Sequence, residues 1–153
     1  MALESKIRGD LREAVKQRDE ARVLVLRLVL SEMKNAEIAR RESLDESAAL
    51  GVLGGEVKRH RESIDLFRKG NRSDLVAQEE GELSVLMEYM PPQMSRQEIV
   101  IAAREVIDAI SAKGIKDKGR VMSQLMPGLR GRAEGKDVSD AVSELLTGSQ
   151  VLQ

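Results

Sequence analysis

The stretch Tyr89-Met90-Pro91-Pro92-Gln93-Met94-Ser95-Arg96-Gln97-Glu98 decides how the chain is organised. Proline has no amide proton to donate and drives the preceding residue out of helical backbone, so the pair Pro91-Pro92 ends any helix that reaches Met90. Ser95 and Glu98 then have the spacing of a capping box, in which hydroxyl and carboxylate satisfy the first free amides of a new helix. A stop followed at once by a start places a boundary at 91–94. It separates an amino-terminal part, residues 1–90, from a smaller part, residues 94–147, with 148–153 as a frayed tail.

Helical spacing fills both parts. Leu3, Ile7, Leu11 and Val15 step by four and predict a first helix to about Arg18. In a second helix, from about Glu20 to Arg41, Val23, Leu24, Val25, Leu26, Leu28, Val29, Leu30 and Met33 occupy nearly every side, the pattern of a central, buried helix. Asp45, or Ser43 with Glu46, starts a third, whose Leu50, Leu53, Val57, His60, Ile64 and Phe67 alternate spacings of three and four. Gly51, Gly54 and Gly55 conflict with it, since glycine costs about 1 kcal/mol against alanine inside a helix. Either a neighbouring helix passes very close there or the first turns are frayed.

Gly70-Asn71 ends the third helix and Ser73 caps a fourth, with Leu75, Glu79, Leu83, Leu86 and Met90 along its seam. Beyond the prolines, Ile99, Ala103, Val106 and Ile110 face inward on a fifth helix closed by Gly114. Asp117 caps a sixth, with Met122, Leu125 and Met126 inward, and Pro127-Gly128 breaks it. A seventh carries Val138, Val142, Leu145 and Leu146. The expected fold is all-α: an amino-terminal helical bundle followed by a small three-helix tail domain.

Composition narrows the chemistry. The chain has no cysteine, hence no disulfide, thiolate nucleophile or thiolate metal site. The opening residues carry no apolar run of the signal-peptide kind, and Val23–Leu30, interrupted by Arg27, is too short to span a bilayer. The expected location is cytoplasmic, without a membrane partner. One Phe, one Tyr and no Trp leave few stacking platforms for single-stranded bases.

Catalytic and metal-binding patterns are sparse. His60 is the single histidine, and its seam position reads as a packed or interfacial side chain. Ser31-Glu-Met-Lys34 matches S-x-x-K, but the motifs that accompany it in serine hydrolases are missing. Glu79, Glu80 and Glu82 read as a solvated face rather than as metal ligands. No P-loop or G-x-G-x-x-G occurs. No catalytic residue, cofactor site or metal site is assigned.

The exception is the segment Lys113–Lys136. It holds seven basic residues, Lys113, Lys116, Lys118, Arg120, Arg130, Arg132 and Lys136, against two acidic ones, while the whole chain sums to −1. Five glycines share the window: Gly114, Gly119, Gly128, Gly131 and Gly135. Cationic side chains on a backbone that a partner can approach closely suit an anion or nucleic-acid surface. Two short helices with glycine turns and solvated lysines are the plainer alternative.

The run Lys116-Asp-Lys-Gly-Arg-Val-Met-Ser-Gln-Leu-Met-Pro-Gly-Leu-Arg-Gly-Arg-Ala-Glu-Gly-Lys-Asp-Val138 resembles the tail domain of the GatB/YqeY family. The matching positions are Asp117, Gly119, Val121, Met122, Met126, Gly131, Ala133, Glu134, Gly135 and Val138. Val25-Leu26-Arg27, Lys34-Asn35-Ala36-Glu37-Ile38, Arg61-Glu62-Ser63-Ile64 and Tyr89-Met90-Pro91 are similar to the free-standing YqeY-like members, so the resemblance covers about residues 1–147. Gly51, Gly54 and Gly55 depart from it, as does Glu134, where the family often has Asp.

The resemblance implies a tRNA-binding or tRNA-amidotransferase-related accessory protein, in the setting of tRNA aminoacylation. In glutamine-dependent tRNA amidotransferases the similar tail of the B subunit helps to hold the tRNA body. Phosphate contact is then expected from Lys116, Lys118, Arg120, Arg130, Arg132 and Lys136, with Gly131 and Gly135 admitting the RNA backbone. Two alternatives stay open. One is a protein–protein assembly module that joins an amidotransferase or another protein partner. The other, implied by the resemblance alone, is a carbon–nitrogen ligase with glutamine as amido-N-donor.

Overall fold

The computed structural model describes residues 2–151, with side chains through Gly148, and among them every regular element is helical. The chain divides into two compact units, residues 1–90 and 91–153. The first holds α1 (Ala2–Lys16), α2 (Glu20–Arg40), α3 (Glu46–Lys69) and α4 (Ser73–Met87). The second holds α5 (Arg96–Ala109), a 3-10 turn (Ile115–Asp117), α6 (Lys118–Leu129) and α7 (Gly135–Val151). Helix α7 continues to Val151, into the stretch 148–153 that the sequence reads as a frayed tail; residues 152 and 153 lie outside the described residues.

Helix α2 lies against α1, α3 and α4 and buries Val25, Leu26, Val29 and Met33 among Ile7, Leu53, Val57 and Leu86. Burying a leucine such as Leu26 fully is worth about 1.5–3 kcal/mol. The helix is not covered all round, contrary to its apolar pattern. Leu24 is 60% exposed, Leu28 40% and Ile38 66%. Three neighbours cover one side of a helix, and Leu24 and Leu28, one turn apart, fall outside that arc.

Neither expectation for Gly51, Gly54 and Gly55 holds. Helix α3 is continuous through them, so its start is not frayed. A Cβ at Gly51 or Gly54 would meet nothing within 4 Å, so no helix passes close either. Asp45, not Ser43, caps α3, its carboxylate accepting from Ala48 N–H at 2.8 Å. Ser73 is the first residue of α4 rather than its cap.

In the second unit Ser95 caps α5 as its spacing predicts. Its hydroxyl accepts from Glu98 N–H and donates to the Glu98 carboxylate, both at 3.2 Å. The left-handed residue after α5 is Ser111 (φ 54°), not Gly114, whose backbone is extended. Helix α6 runs through Pro127-Gly128 and ends at Leu129. Proline there removes one hydrogen bond, to the carbonyl of Ser123, near the helix end where the loss is smallest. Against it stands the burial of Leu129. Val121, Leu125 and Leu129, at successive turns, form the inward stripe, packed with Ile99, Ala103, Val138 and Val142. Met122 and Met126 are half-buried beside it.

Candidate functional site

The cationic segment is laid out by α6. Lys116 sits in the 3-10 turn, and Lys118 and Arg120 in the first turn of α6. Arg130 and Arg132 follow its end, and Lys136 opens α7. Twelve residues at 1.5 Å each make α6 about 18 Å long. Six cations that form one cluster in sequence are therefore two clusters in space, three at each end of the helix.

The clusters are not equivalent. At the amino-terminal end, the Asp117 carboxylate accepts from Lys113 N–H at 2.9 Å and from the Arg120 guanidinium at 3.3 Å. The Lys113 amide, aided by the Arg120 and Lys116 charges, holds the Asp117 carboxyl below the usual carboxylate range. Asp117 thus closes the 113–117 turn instead of capping α6 by its side chain, and it offsets the charge of Arg120. Among the described residues, Lys116, Lys118, Arg130, Arg132 and Lys136 have no ion pair. Arg130, Arg132 and Lys136 are exposed.

The loop beneath the second cluster is held firmly. Gly131 has φ 79°, a left-handed conformation that a side chain would strain. Its carbonyl accepts from Gln93 Nε2 at 2.8 Å, and the Arg132 carbonyl accepts from Met94 N–H at 2.8 Å. Arg130 and Arg132 therefore leave a fixed backbone. At Gly135 a Cβ would meet open space, so nothing within the unit itself demands glycine there.

Two further polar groupings lie in the first unit. A shallow cleft is lined by Lys6, Asp10, Gln17, Arg22, Glu88 and Tyr89. The Tyr89 hydroxyl donates to Asp10 at 2.5 Å, Arg22 grips Glu88 at 2.6 and 3.3 Å, and the Lys6 ammonium stands 5.3 Å from the Tyr89 ring centre. Burial, then the Asp10 hydrogen bond and charge, push the Tyr89 phenol well above its ordinary 10.0. It stays a neutral donor at neutral pH. The residues involved are 66 and 79 positions apart, which helical periodicity cannot reveal.

The second grouping surrounds His60, which is buried beside the equally buried Glu56. Glu79 and Glu82 do not lie on an open solvated face. They turn toward the His60 ring at 3.6 and 3.1 Å. The signal was present as an i,i+3 pair of glutamates on α4 opposite the seam position of His60, but their register depends on how α3 and α4 pack.

The chain matches the family model described as Yqey-like protein over residues 4–146. It is 32% identical over 120 residues to the Altered inheritance of mitochondria protein 41, mitochondrial, of Saccharomyces cerevisiae (strain YJM789), covering 76% of this chain and 65% of that protein. The protein of the same description in Pyrenophora tritici-repentis is 26% identical over 144 residues, covering 92% of this chain and 79% of that one. Its counterpart in Lachancea thermotolerans is 33% identical over 106 residues, covering 69% and 54%. The matched stretch thus spans somewhat under two thirds of the Saccharomyces protein. These relatives carry a mitochondrial designation, which overturns the cytoplasmic expectation. Absence of cysteine and of an apolar export run does not distinguish the cytoplasm from an organelle interior. With the family model matched across nearly its whole length, and with all its described regular structure helical, the chain belongs to the YqeY-like family.

Proposed function

We propose that this protein is a tRNA-binding accessory protein, related in role to the tRNA amidotransferases, whose second unit contacts the phosphate backbone of folded tRNA. The observation that carries this reading is the placing of Lys116, Lys118, Arg130, Arg132 and Lys136 at the two ends of α6, with no ion pair among the described residues. Arg120 contributes less because Asp117 already faces it. Contacts of this kind position RNA by shape and charge, and discriminate little between base sequences.

The test is binding of the full chain to folded tRNA between 50 and 200 mM salt. Each phosphate neutralised adds about 0.7–0.9 to the slope of log affinity against log salt. Replacing Arg130, Arg132 and Lys136 together by Ala should flatten the slope by about 2–3 and weaken binding to all tRNAs alike. Replacing Arg68 and Arg72, already paired with Glu80 and Asp74, should change it little. A triple variant that binds as wild type at every salt concentration would refute the reading.

A protein–protein assembly module is the second reading, favoured by the shallow groove of Val15, Val23 and Leu24 rimmed by Arg18, Glu20 and Arg27. Leu24→Asp should abolish capture of a protein partner without altering tRNA binding. Carbon–nitrogen ligation with glutamine as amide donor rests on the resemblance alone. Ammonia release from glutamine by the purified chain, abolished by a point substitution in it, would establish that activity.

A further inference from the structure

We propose that His60, Glu79 and Glu82 form a binding site for a divalent transition-metal cation of the zinc class. His60 projects from α3, and Glu79 and Glu82, three residues apart, project from the same side of α4. His60 Nε2 lies 3.1 Å from a Glu82 oxygen and 3.6 Å from a Glu79 oxygen. One ligand atom from each residue falls within 4.8 Å of the others. Ligands at 2.0–2.2 Å around a tetrahedral ion stand about 3.4 Å apart, so the three atoms need little adjustment to share one centre.

The imidazole is oriented for this task. His60 Nδ1 lies 2.9 Å from the carbonyl oxygen of Glu56, to which only an N–H can usefully point. That bond fixes the ring and directs Nε2 at the two carboxylates, as the outer hydrogen bond of a metal-bound histidine does. With Nδ1 protonated in the neutral ring, Nε2 presents a lone pair to oxygens that also present lone pairs. The arrangement repels itself unless a proton or a metal ion stands between them.

The surroundings supply no such charge. Glu56 is met by Arg59, and Glu80 by Arg68. Among the described residues Glu79 and Glu82 have no Lys or Arg partner; apart from His60, Glu82 meets the Gln78 amide in a long 3.4 Å contact. The side chains of His60, Glu79 and Glu82 are 8%, 20% and 13% exposed, which weakens solvent screening of the two carboxylates while leaving a path for an ion. One imidazole with two carboxylates suits zinc, cobalt or manganese better than magnesium, which prefers an all-oxygen shell. Three protein ligands leave a fourth position for water or another small ligand.

The chain's single histidine and lack of cysteine make the test specific. Untagged full-length protein, stripped with chelator, is titrated with Zn²⁺ by calorimetry and with Co²⁺ by visible absorption, while NMR follows the one imidazole. The expected result is one equivalent bound, His60 ring resonances shifting in step with the heat, and a raised melting temperature that Mg²⁺ does not reproduce. Glu79→Gln and Glu82→Gln keep side-chain size and should each weaken Zn²⁺ binding at least tenfold. In the metal-free state they should melt no lower than wild type, because each removes a repelling charge. His60 resonances unmoved by one equivalent of Zn²⁺, or Gln variants binding as wild type, would overturn the proposal. So would a lowered metal-free melting temperature in Glu82→Gln, which would identify the carboxylate as partner to a protonated imidazole.

Discussion

In the first unit, several arginines find carboxylates. Arg8 meets Glu4, Arg22 meets Glu88 and Asp19, Arg59 meets Glu56 and Glu32, Arg68 meets Glu80, and Arg72 meets Asp74. In the second, Arg96 meets Glu144 and Arg120 meets Asp117, while Lys116, Lys118, Arg130, Arg132 and Lys136 have no such partner among the described residues. Their interiors differ as well. The first buries Glu56 and His60; among the described residues the fully buried side chains of the second are apolar, although one Glu134 carboxylate oxygen is also shielded from solvent. The net charge of −1 thus divides into −2 for residues 1–90, with 16 Lys and Arg against 18 Asp and Glu, and +1 for residues 91–153, with 9 against 8. The first invests polarity in its own packing, and the second presents it outward.

The strongest way to probe that contrast is through the apolar core of the second unit. Leu125→Ala should destabilise by about 2–5 kcal/mol, as large-to-small changes at filled positions do. Met122→Ala, at a half-buried site, should cost clearly less. Thermal or denaturant unfolding of the two variants measures the difference. Equal costs would mean that the stripe Val121, Leu125 and Leu129 does not carry the core.

A smaller effect tests the polar packing of the first unit. Tyr89→Phe removes the hydroxyl that Asp10 accepts, at a cost of about 1.5–3 kcal/mol, the range for a bond to a charged group. The phenol's pKa is raised in the folded state, so its contribution is complete below pH 10 and is lost as pH climbs above that. Wild type and Tyr89→Phe should therefore converge in stability at high pH. Tyr89 is the only tyrosine, so ultraviolet titration reports it directly. Ionisation with an ordinary midpoint near 10 would contradict the buried, hydrogen-bonded phenol.

Smaller again are changes to the backbone of α3. Gly51→Ala and Gly54→Ala should each stabilise by about 0.5–1 kcal/mol, because the helix is regular there and the added methyl meets open space. Destabilisation would show that a neighbour approaches after all. The least effect is expected at Leu24→Ala, within about 0.5 kcal/mol, since the side chain is mostly exposed. Its value lies in comparison with Leu26→Ala two residues on, where burial is complete and a core-sized loss is expected.

Local physics made much of the fold legible. Pro91-Pro92 and the Ser95–Glu98 cap announced the break, and the four-residue steps of Leu3, Ile7 and Leu11 announced a helix, because capping and periodicity act within one or two turns. The errors arose where a tertiary contact outweighed a local preference. Burial of Leu129 carries α6 past Pro127, and the arc covered by α1, α3 and α4 leaves Leu24 outside. The cations of residues 113–136 were visible in sequence, but their division between two ends of a helix required knowing that α6 is unbroken. Sequence alone determined that this is a helical chain with a surplus of positive charge near residues 113–136. Only tertiary structure decided which of those charges are answered, and that Glu79 and Glu82 meet His60. Such meetings depend on the register of one helix against another, and that register is set by the packing of whole faces rather than by any neighbour in the chain.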